Sequence, residues 1–398
     1  MDGVRIAELT AVYRDGLLAD VVPFWIRHGL DHEHGGYITA VNRDGSLVES
    51  DKSVWFQGRF SWLLSELCRT VEPREEWLSA AKSGIDFLRQ HCFDSDGRMF
   101  FLVTREGQPL RKRRYVFSEL FAVIAYAAYA SASGCERACD DASRLLRSTV
   151  ELLRTPGTLE PKSDQTTRPT RGFGVPMILL NTASIVRDCI GDEHDNRTYC
   201  TALIDECVAD IETHFISEEH RAVLESTGPN GEFIDHFDGR TLNPGHAIEG
   251  AWFVLKEAQH RGNDPRLIAL GTKMLDWMWE WGWDEQHGGI IYFRDVRGLP
   301  VQEYWHDMKF WWPQNETIIA TLLAWTLTGE QRYADWHGLI HDWTYARFPD
   351  AEFGEWYGYL HRDGTVANPS KGTLWKGPFH IPRMQLTCWK LLEAHGSR

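Results

Sequence analysis

The sequence lacks the signatures of several large classes of protein. Its eight cysteines include no Cys-x-x-Cys pair, so neither a disulfide framework nor a zinc ribbon is predicted. No run of 18 apolar residues occurs, which argues against a membrane-spanning helix. The first residues also lack the basic and apolar segments of a secretory signal. We therefore expect a cytoplasmic protein whose thiols are reduced and mostly buried.

Phosphate-binding motifs are also missing. There is no Gly-x-x-x-x-Gly-Lys-Ser/Thr loop and no Gly-x-Gly-x-x-Gly between a strand and a helix. The 42 basic and 57 acidic residues give a net charge of −15, which repels nucleic acids and anionic membranes. The one basic run, at residues 111–114, is interpreted as a solvated loop. Together these features argue against dinucleotide chemistry and nucleic-acid binding.

Aromatic residues, in contrast, are abundant. The 398 residues include 18 Trp, 12 Tyr and 19 Phe. Most of these rings are expected in a large core, but flat rings also stack on the apolar faces of sugars. The composition therefore favours carbohydrate chemistry.

A degenerate turn motif recurs along the chain. An acidic residue and a glycine precede an alternating apolar run that ends in a charged glycine turn, which is typical of a β-hairpin. The marker glycines are Gly36, Gly97, Gly231, Gly289 and Gly354. Because the gap from Gly97 to Gly231 is about twice the others, we assign a sixth member to the loop at residues 161–174. The pattern thus predicts six units.

Between these markers the apolar spacing changes to three and four residues, which indicates amphipathic helices. Twelve are predicted, at residues 4–30, 52–70, 76–92, 114–133, 136–155, 173–190, 197–215, 244–262, 264–282, 308–328, 331–347 and 378–395. Long connections that carry the hairpins alternate with short ones that force antiparallel neighbours. We therefore predict an all-α fold, an (α/α)6 barrel formed by residues 1–398 as one domain. Its even-numbered helices should form the inner ring, and its hairpins should lie at one mouth.

Polar and ionisable residues cluster near the starts of the predicted inner helices, which would meet at that mouth. Burying such groups is costly unless they have a role. They are Arg59, Glu119, Asn181, His246, Glu249, Trp312, Glu316, Lys376, His380 and Arg383. Trp55 and Trp375 fall at the same mouth, so these residues form the predicted sugar-binding site.

Two histidines suggest the chemistry of the site. His246 and Glu249 are three residues apart on one helix, so the carboxylate can orient the imidazole. A lone His246 would be interpreted more simply as a core residue. With His380 at the same depth, however, one imidazole can act as a base and the other as an acid on opposite faces of a carbon. Arg59 is suited to stabilise an oxyanion.

Metal binding is a weaker interpretation of His246, Glu249 and His380, since no further ligand lies close in sequence. His32 and His34 fall in a hairpin turn and are expected to be solvated. We therefore predict no metal.

Six segments together resemble the N-acylglucosamine 2-epimerase family. They are residues 55–59, 117–119, 175–181, 243–249, 308–316 and 376–383, and the most specific are Asn-Pro-Gly-His and Phe-His-Ile-Pro-Arg. The resemblance implies an (α/α)6 barrel that interconverts N-acyl-D-glucosamine and N-acyl-D-mannosamine. The essential histidines of the family fall on His246 and His380.

The same resemblance assigns further roles. The catalytic arginine and glutamates of the family fall on Arg59, Glu249 and Glu316, and the related cellobiose 2-epimerases share the tryptophan at Trp375. Phe117 and Ile381 stand where cellobiose 2-epimerases usually have Tyr and Asn, which favours the N-acyl-hexosamine branch. The resemblance also implies a homodimer and activation by ATP, although proton transfer at carbon needs no cofactor.

In the expected mechanism, one histidine removes the C2 proton of the open-chain sugar and the other returns a proton to the opposite face. Glu249 is expected to orient His246, and Glu316 to polarise His380 or to help open the ring. Trp55, Glu119, Asn181, Trp312, Trp375, Lys376 and Arg383 are expected to bind substrate.

Three alternatives remain open. An aldose–ketose isomerase would return the proton to C1, and a related 2-epimerase would act on mannose, glucose or cellobiose. A glycoside hydrolase on the same toroid would need two carboxylates, such as Glu119 and Glu316, at acid–base distance. A non-catalytic binding protein is disfavoured by the buried ionisable residues.

Overall fold

The computed structural model describes residues 1–396 and contains twelve long helices in that range, as the apolar pattern predicts. We number them α1–α12. They are α1 (Gly3–Asp15, Gly16–Val21 and Val22–Gly29), α2 (Val54–Thr70), α3 (Glu75–His91), α4 (Phe117–Ser133), α5 (Glu136–Arg154), α6 (Gly174–Ile190), α7 (Asn196–His214), α8 (Pro244–His260), α9 (Pro265–Gly282), α10 (Trp311–Thr328), α11 (Gln331–Tyr345) and α12 (His380–Gly396).

Helix α1 is continuous but irregular. Its middle segment, Gly16–Val21, is π-helical and leads directly into Val22–Gly29. Pro23 has no N–H to donate back into the preceding turn, so a local widening of the helix costs little at this position.

The helices form two concentric rings. The even-numbered helices pack on one another in sequence and are buried on almost every side, as α4 is from Ser118 to Ala130. The odd-numbered helices bury one face and expose the other. The ring closes where α1 packs on α12 and where the rings of Phe379 and Trp62 meet at 5.6 Å. The (α/α)6 barrel with an even-numbered inner ring is confirmed.

Long loops follow the odd-numbered helices and lie at the mouth where the inner helices begin. Short antiparallel strands tie these loops together. The pairs are Ala40–Val41 with Leu47–Glu49, Lys52–Ser53 with Phe100–Val103, Phe100–Val103 with Pro109–Lys112, Arg171–Gly172 with Ser226–Thr227, Ile216–Ser217 with Ala222–Val223, Thr241–Leu242 with Arg294–Asp295, Lys309–Phe310 with Tyr359–Leu360, and Tyr359–Leu360 with Val366–Asn368. Several pairs join different loops.

The hairpin repeat is corrected at three positions. In the loop at residues 161–174, the strand Arg171–Gly172 pairs with Ser226–Thr227 of the following long loop rather than within its own loop. The segment that begins at Gly231 forms a loop and the single-turn helix Phe237–Arg240, not a hairpin. The hairpin of that unit lies at Ile216–Val223, where no glycine marks it. Arg221 takes the left-handed conformation there, with φ of 46°, whereas Gly289 takes it in a later unit. A non-glycine residue at such a position is uncommon, so the motif is hidden in the sequence.

The segment Asp284–Gly298 also differs from the predicted hairpin. Its strand Arg294–Asp295 pairs with Thr241–Leu242 of the preceding loop. Within the segment, an isolated bridge joins Trp283 and Ile290. The sequence motif therefore marks the first turn of the loop rather than a complete hairpin.

Three clusters of the same composition fasten neighbouring loops. In each, a buried aspartate accepts from a buried lysine of the same long loop and from an arginine on the next loop around the ring. The clusters are Asp31–Lys52–Arg105, Asp284–Lys309–Arg362 and Asp350–Lys371–Arg43. Hydrogen bonds from these cations outweigh burial and hold the pKa of all three aspartates well below the usual range. The third cluster joins the last long loop to the first.

Within residues 1–396, no helix has both the length and the apolar character needed to span a lipid bilayer.

Candidate active site

The mouth of the barrel opens into a cavity of about 660 Å³. Every inner helix contributes to its wall, so residues far apart in sequence meet there. One residue from each helix in turn is Arg59, Phe121, Asn181, His246, Trp312 and His380. The cavity is walled mainly by aromatic rings, and its lining includes five further ionisable side chains: Arg59, His246, Glu249, His380 and Arg383.

His246 is fixed by the start of α8. Asn243 caps the helix, and its Oδ1 accepts from the backbone N–H of His246 at 3.2 Å, while Pro244 suits the first turn. Position 245 requires glycine, because a Cβ there would lie 2.7 Å from the Trp312 ring. The imidazole of His246 therefore packs directly against Trp312, with ring centroids 5.0 Å apart.

The carboxylate that orients His246 is Glu225. His246 Nδ1 and Glu225 Oε1 are 3.0 Å apart, so Nδ1–H donates and Nε2 remains for the cavity. Burial opposes the charged form of the imidazole, but the negative charge and hydrogen bond of Glu225 outweigh it and raise the pKa of His246. The imidazolium form is therefore more stable here than in a free histidine side chain.

Glu249 does not orient His246, which corrects the sequence prediction. Its Oε1 accepts instead from Arg383. The three-residue spacing allows a contact between Glu249 and His246, but the guanidinium of Arg383 is a stronger partner for the carboxylate.

His380 is the first residue of α12 and has a different environment. Its Nδ1 lies 2.7 Å from Glu316 Oε1 and 3.3 Å from Arg383 Nη2, and the carboxylate, as the closer partner, accepts from a proton on Nδ1. Burial is the main reason that the pKa of His380 falls well below its usual value, and the charges of Arg383 and Arg59 lower it further. His380 is thus a neutral imidazole with a free Nε2, which suits a base.

Glu316 is fully buried and its oxygens are occupied. Oε1 accepts from His380 and, at 2.6 Å, from Arg383, and Oε2 accepts from Trp252 Nε1 at 2.7 Å. The predicted pairing of Glu316 with His380 is present. Because of these contacts, Glu316 fixes the position of His380 and has no free oxygen for the cavity.

Potential ligand atoms of Glu249, Glu316 and His380 lie within 4.8 Å of one another. Arg383 already bonds to both carboxylates of this group, and its guanidinium offsets part of their negative charge. A metal ion would have to displace this cation. His246 does not belong to the group, so the metal set considered from the sequence is not formed.

Arg59 is a buried cation without a hydrogen-bonded acceptor in residues 1–396. It is 8% exposed, and its guanidinium lies 4.0 Å from the Phe121 ring centroid and 4.5 Å from that of Phe379. Burial is the main cause that lowers the pKa of Arg59, to about 9, and Arg383 adds repulsion. The unpaired guanidinium can stabilise negative charge that develops on a bound ligand.

The three predicted tryptophans all line the cavity. Trp55 and Trp375 meet edge to face at 5.9 Å, and Trp375 is 45% exposed at the rim. Trp312 contacts both catalytic candidates, since its ring also lies 5.9 Å from that of His380. Asn181 and Arg383 line the cavity as well, so these five residues lie at the predicted mouth, and their binding of substrate stays a prediction.

Glu119 and Lys376 do not face the cavity, contrary to the prediction. Glu119 points outwards from α4, where its Oε1 accepts from Arg98 Nε at 2.6 Å and from the N–H of Met99 at 3.0 Å. Phe117 and Phe121 face the cavity instead, because two positions along a helix change the side-chain direction by more than a right angle.

Lys376 is fully buried and bonds to Glu355 Oε2 at 2.5 Å and to the carbonyl of Lys371 at 2.6 Å. Its neighbour Trp375 takes the position in the cavity.

Glu225 is the functional residue that sequence reasoning missed. It lies in the loop between α7 and α8, 21 residues before its partner. No spacing rule connects the two positions. The contact depends instead on the pairing of Ser226–Thr227 with Arg171–Gly172, which holds the segment of Glu225 against the start of α6.

Comparison with known proteins identifies the family of this fold. The family model of N-acylglucosamine 2-epimerase (GlcNAc 2-epimerase) matches residues 36–381. The chain belongs to the N-acylglucosamine 2-epimerase family. It is 36% identical over 385 residues to the N-acylglucosamine 2-epimerase of Bos taurus, covering 95% of this chain and 90% of that protein.

More distant relatives share the architecture of the family. The cellobiose 2-epimerase of Bacteroides fragilis is 24% identical, with 94% of this chain and 96% of that protein covered. The solved cellobiose 2-epimerase from Spirochaeta thermophila superposes with a TM-score of 0.84 at 20% identity, over 98% of both chains. This likeness shows that the barrel is shared.

Proposed function

We propose that the protein is a sugar 2-epimerase that interconverts N-acyl-D-glucosamine and N-acyl-D-mannosamine. The observation that carries the proposal is the pair of histidines in one cavity, each held by its own glutamate and with opposite shifts in pKa. Epimerisation at C2 needs a base on one face of the carbon and an acid on the other. The identity with the bovine N-acylglucosamine 2-epimerase supports the same substrate class.

The proposed reaction starts with an open-chain sugar in the cavity. Neutral His380 takes the C2 proton through Nε2, and the C–H electron pair forms the C1–C2 double bond as negative charge moves to O1. The unpaired guanidinium of Arg59 stabilises this oxyanion. His246 then donates the proton on Nε2 to the opposite face of C2, which restores the aldehyde with inverted configuration.

After one turnover the protonation states of His246 and His380 are exchanged. The pair can therefore run the reverse reaction with the roles swapped. Glu225 and Glu316 each hold the proton on Nδ1, so only Nε2 of each ring exchanges a proton with the sugar. No electron transfer takes place, so the proposed chemistry needs no redox cofactor.

The cavity also suits the N-acyl group. Met177, Ile178 and Phe253 form an apolar part of the wall that suits the methyl group of an acetamide. Asn181 lines the same wall, and its side-chain amide can hydrogen-bond to a neighbouring acyl group.

Deuterium exchange tests the proposal. N-acetylmannosamine incubated with the enzyme in heavy water should give N-acetylglucosamine with deuterium at C2, observed by NMR. Mannose, glucose and cellobiose are compared in parallel. A ketose product from mannose, with no exchange in the N-acetyl sugars, would instead identify an aldose–ketose isomerase. Faster turnover of cellobiose than of the N-acetyl sugars would instead identify a cellobiose 2-epimerase.

The two carboxylates that the glycoside hydrolase alternative needs are not both available in the cavity. Glu119 lies outside the cavity and Glu316 is covered by Arg383 and Trp252. Two carboxylates on either side of a glycosidic bond are therefore not formed by these residues.

The family resemblance extends the proposal beyond the site. We include a homodimer in the cytoplasm, activation by ATP and a single catalytic domain spanning residues 1–398. Light scattering tests the dimer, and initial rates with and without ATP test the activation.

A further inference from the structure

A second cavity lies on the outside of the inner ring and is unrelated to the catalytic mouth. It has a volume of about 540 Å³ and lies between α3 and α5, over the outward face of α4. The loop at residues 93–98 covers one end. Glu119, which the sequence suggested for the catalytic site, is part of this wall instead. A cavity of this size is in the range that holds a small organic ligand.

Three buried polar groups on its wall have no hydrogen-bond partner within residues 1–396. They are the hydroxyl of Tyr126, Nη2 of Arg89 and Oε2 of Glu119. Tyr126 is 1% exposed and Glu119 is 2% exposed. Leaving such groups unpaired is costly, so the wall is prepared for a ligand that supplies the missing hydrogen bonds.

These three groups also define what kind of ligand fits. Burial raises the pKa of Tyr126, so its hydroxyl remains protonated and donates. Arg89 Nη2 also donates, while its Nε is already bonded to Asp141 at 2.9 Å. Glu119 Oε2 can only accept. The ligand must therefore offer both acceptors and donors, as hydroxyl groups do.

A carboxylate oxygen within the wall argues against an anion in this cavity. Of the four arginines that line it, Arg89 and Arg144 pair with Asp141, Arg98 pairs with Glu119, and Arg137 is exposed. The third carboxylate of the wall, Asp96, pairs with Lys112. The free oxygen of Glu119 would repel a phosphate or carboxylate group in a buried setting. Phe93 adds an apolar ring, which suits the C–H face of a sugar.

We propose that this outer cavity binds a neutral carbohydrate, whose hydroxyl groups accept from Tyr126 and Arg89 and donate to Glu119. The site is separate from the catalytic cavity, since the two share no lining residue. Its occupant is defined by its hydroxyl groups and absence of charge, and need not be the substrate.

Hydrogen–deuterium exchange with mass spectrometry can locate such binding. The full-length protein is titrated separately with N-acetylglucosamine, N-acetylmannosamine, glucose, cellobiose and inorganic phosphate. The expected result is slower exchange of residues 89–98 and 137–152 with at least one neutral sugar and no effect of phosphate. Protection at residues 243–250 and 378–383 reports the catalytic cavity independently.

Two matched variants complete the test. Tyr126→Phe removes one donor without changing the packed ring, and should weaken binding at the outer cavity by about fivefold, as expected for one lost hydrogen bond. Tyr129→Phe makes the same change on α4 at a residue that does not line the cavity, and should leave binding unchanged.

The proposal is overturned if no neutral sugar protects the outer segments, if phosphate protects them instead, or if Tyr126→Phe binds as the unchanged protein does. Epimerase activity can persist in all three cases, so this result is distinguishable from failure of the proposed function.

Discussion

Glu225 and His246 form an ion pair between a loop and the first turn of α8, with 3.0 Å between Oε1 and Nδ1. The pair gives His246 a raised pKa, in contrast with His380, whose pKa is lowered in the same cavity. The protein thus separates an acid from a base although both are imidazoles.

Replacing Glu225 by glutamine should lower the pKa of His246 and reduce kcat by about 10- to 100-fold. His246 would then lose its proton at lower pH. In the direction where His246 is the acid, the alkaline limb of the pH profile should move to lower pH. In the direction where His246 is the base, the acidic limb of the profile should also move to lower pH. Glu219→Gln, at an exposed position of the same loop, is the control. Equal profiles for both variants would remove the role of Glu225.

Arg59→Lys should reduce kcat by about 10²- to 10³-fold, with a smaller change in KM. Lysine keeps the charge but cannot reproduce the planar guanidinium between the rings of Phe121 and Phe379. Because the oxyanion forms only during proton transfer, exchange of the C2 proton should slow by the same factor. Steady-state kinetics and NMR exchange measure the two rates. A change confined to KM would assign Arg59 to ground-state binding.

A buried network between α1 and α11 suggests how stability depends on pH. The hydroxyl of Tyr13 lies 2.8 Å from His341 Nδ1 and 3.1 Å from His337 Nε2. His337 Nδ1 lies 3.2 Å from the carbonyl of Ile318, so it carries a proton and Nε2 accepts from Tyr13. Burial lowers the pKa of both histidines to about 3.

Both histidines of this network should make the fold sensitive to acid. In the unfolded chain a histidine has a pKa of about 6.5, so between pH 6.5 and 3 the unfolded state binds more protons. The contribution of these two histidines to the free energy of unfolding is fully present above pH 6.5. It falls on acidification, by up to about 1.4 kcal/mol per pH unit for each histidine. Urea unfolding at several pH values measures this slope. His341→Gln should reduce it, and His32→Gln at the surface should not.

Asp350 should contribute strongly to the join between the first and last loops. It is buried and accepts from Lys371 and from two nitrogens of Arg43. Asp350→Asn leaves the buried Lys371 without its carboxylate, although its Nζ still donates to the carbonyl of Glu355, and should cost about 3–5 kcal/mol. Arg43→Gln should cost only about 1 kcal/mol, since Arg43 is partly exposed.

Denaturant unfolding compares these two variants with Asp335→Asn on the surface, which should change stability by less than about 0.5 kcal/mol. Similar losses for Asp350→Asn and Asp335→Asn would contradict the proposed contribution of the cluster.

The barrel could be predicted because its helices follow local rules. Apolar spacing and loop length determine which helices are neighbours, and these are visible in any linear sequence. The unit at Ile216–Val223 was placed wrongly because Arg221 occupies the backbone conformation that glycine takes elsewhere.

The sequence predicted which helix starts meet at the site, but not which side chains bond to one another there. Position along a helix brought His246, His380 and Arg59 to one cavity. Direction around the helix decided that Glu119 faces outwards. Competition between charges decided that Glu249 bonds to Arg383 rather than to His246. Such choices depend on residues from other helices, so spacing rules do not contain them.

The cluster of Asp350, Lys371 and Arg43 also has a mechanical consequence. The contact between the sixth unit and the first has the same composition as the contacts between the first and second units and between the fifth and sixth. The two ends of the chain's ring, which no backbone connection joins, are therefore fastened in the same way as units that follow one another in sequence.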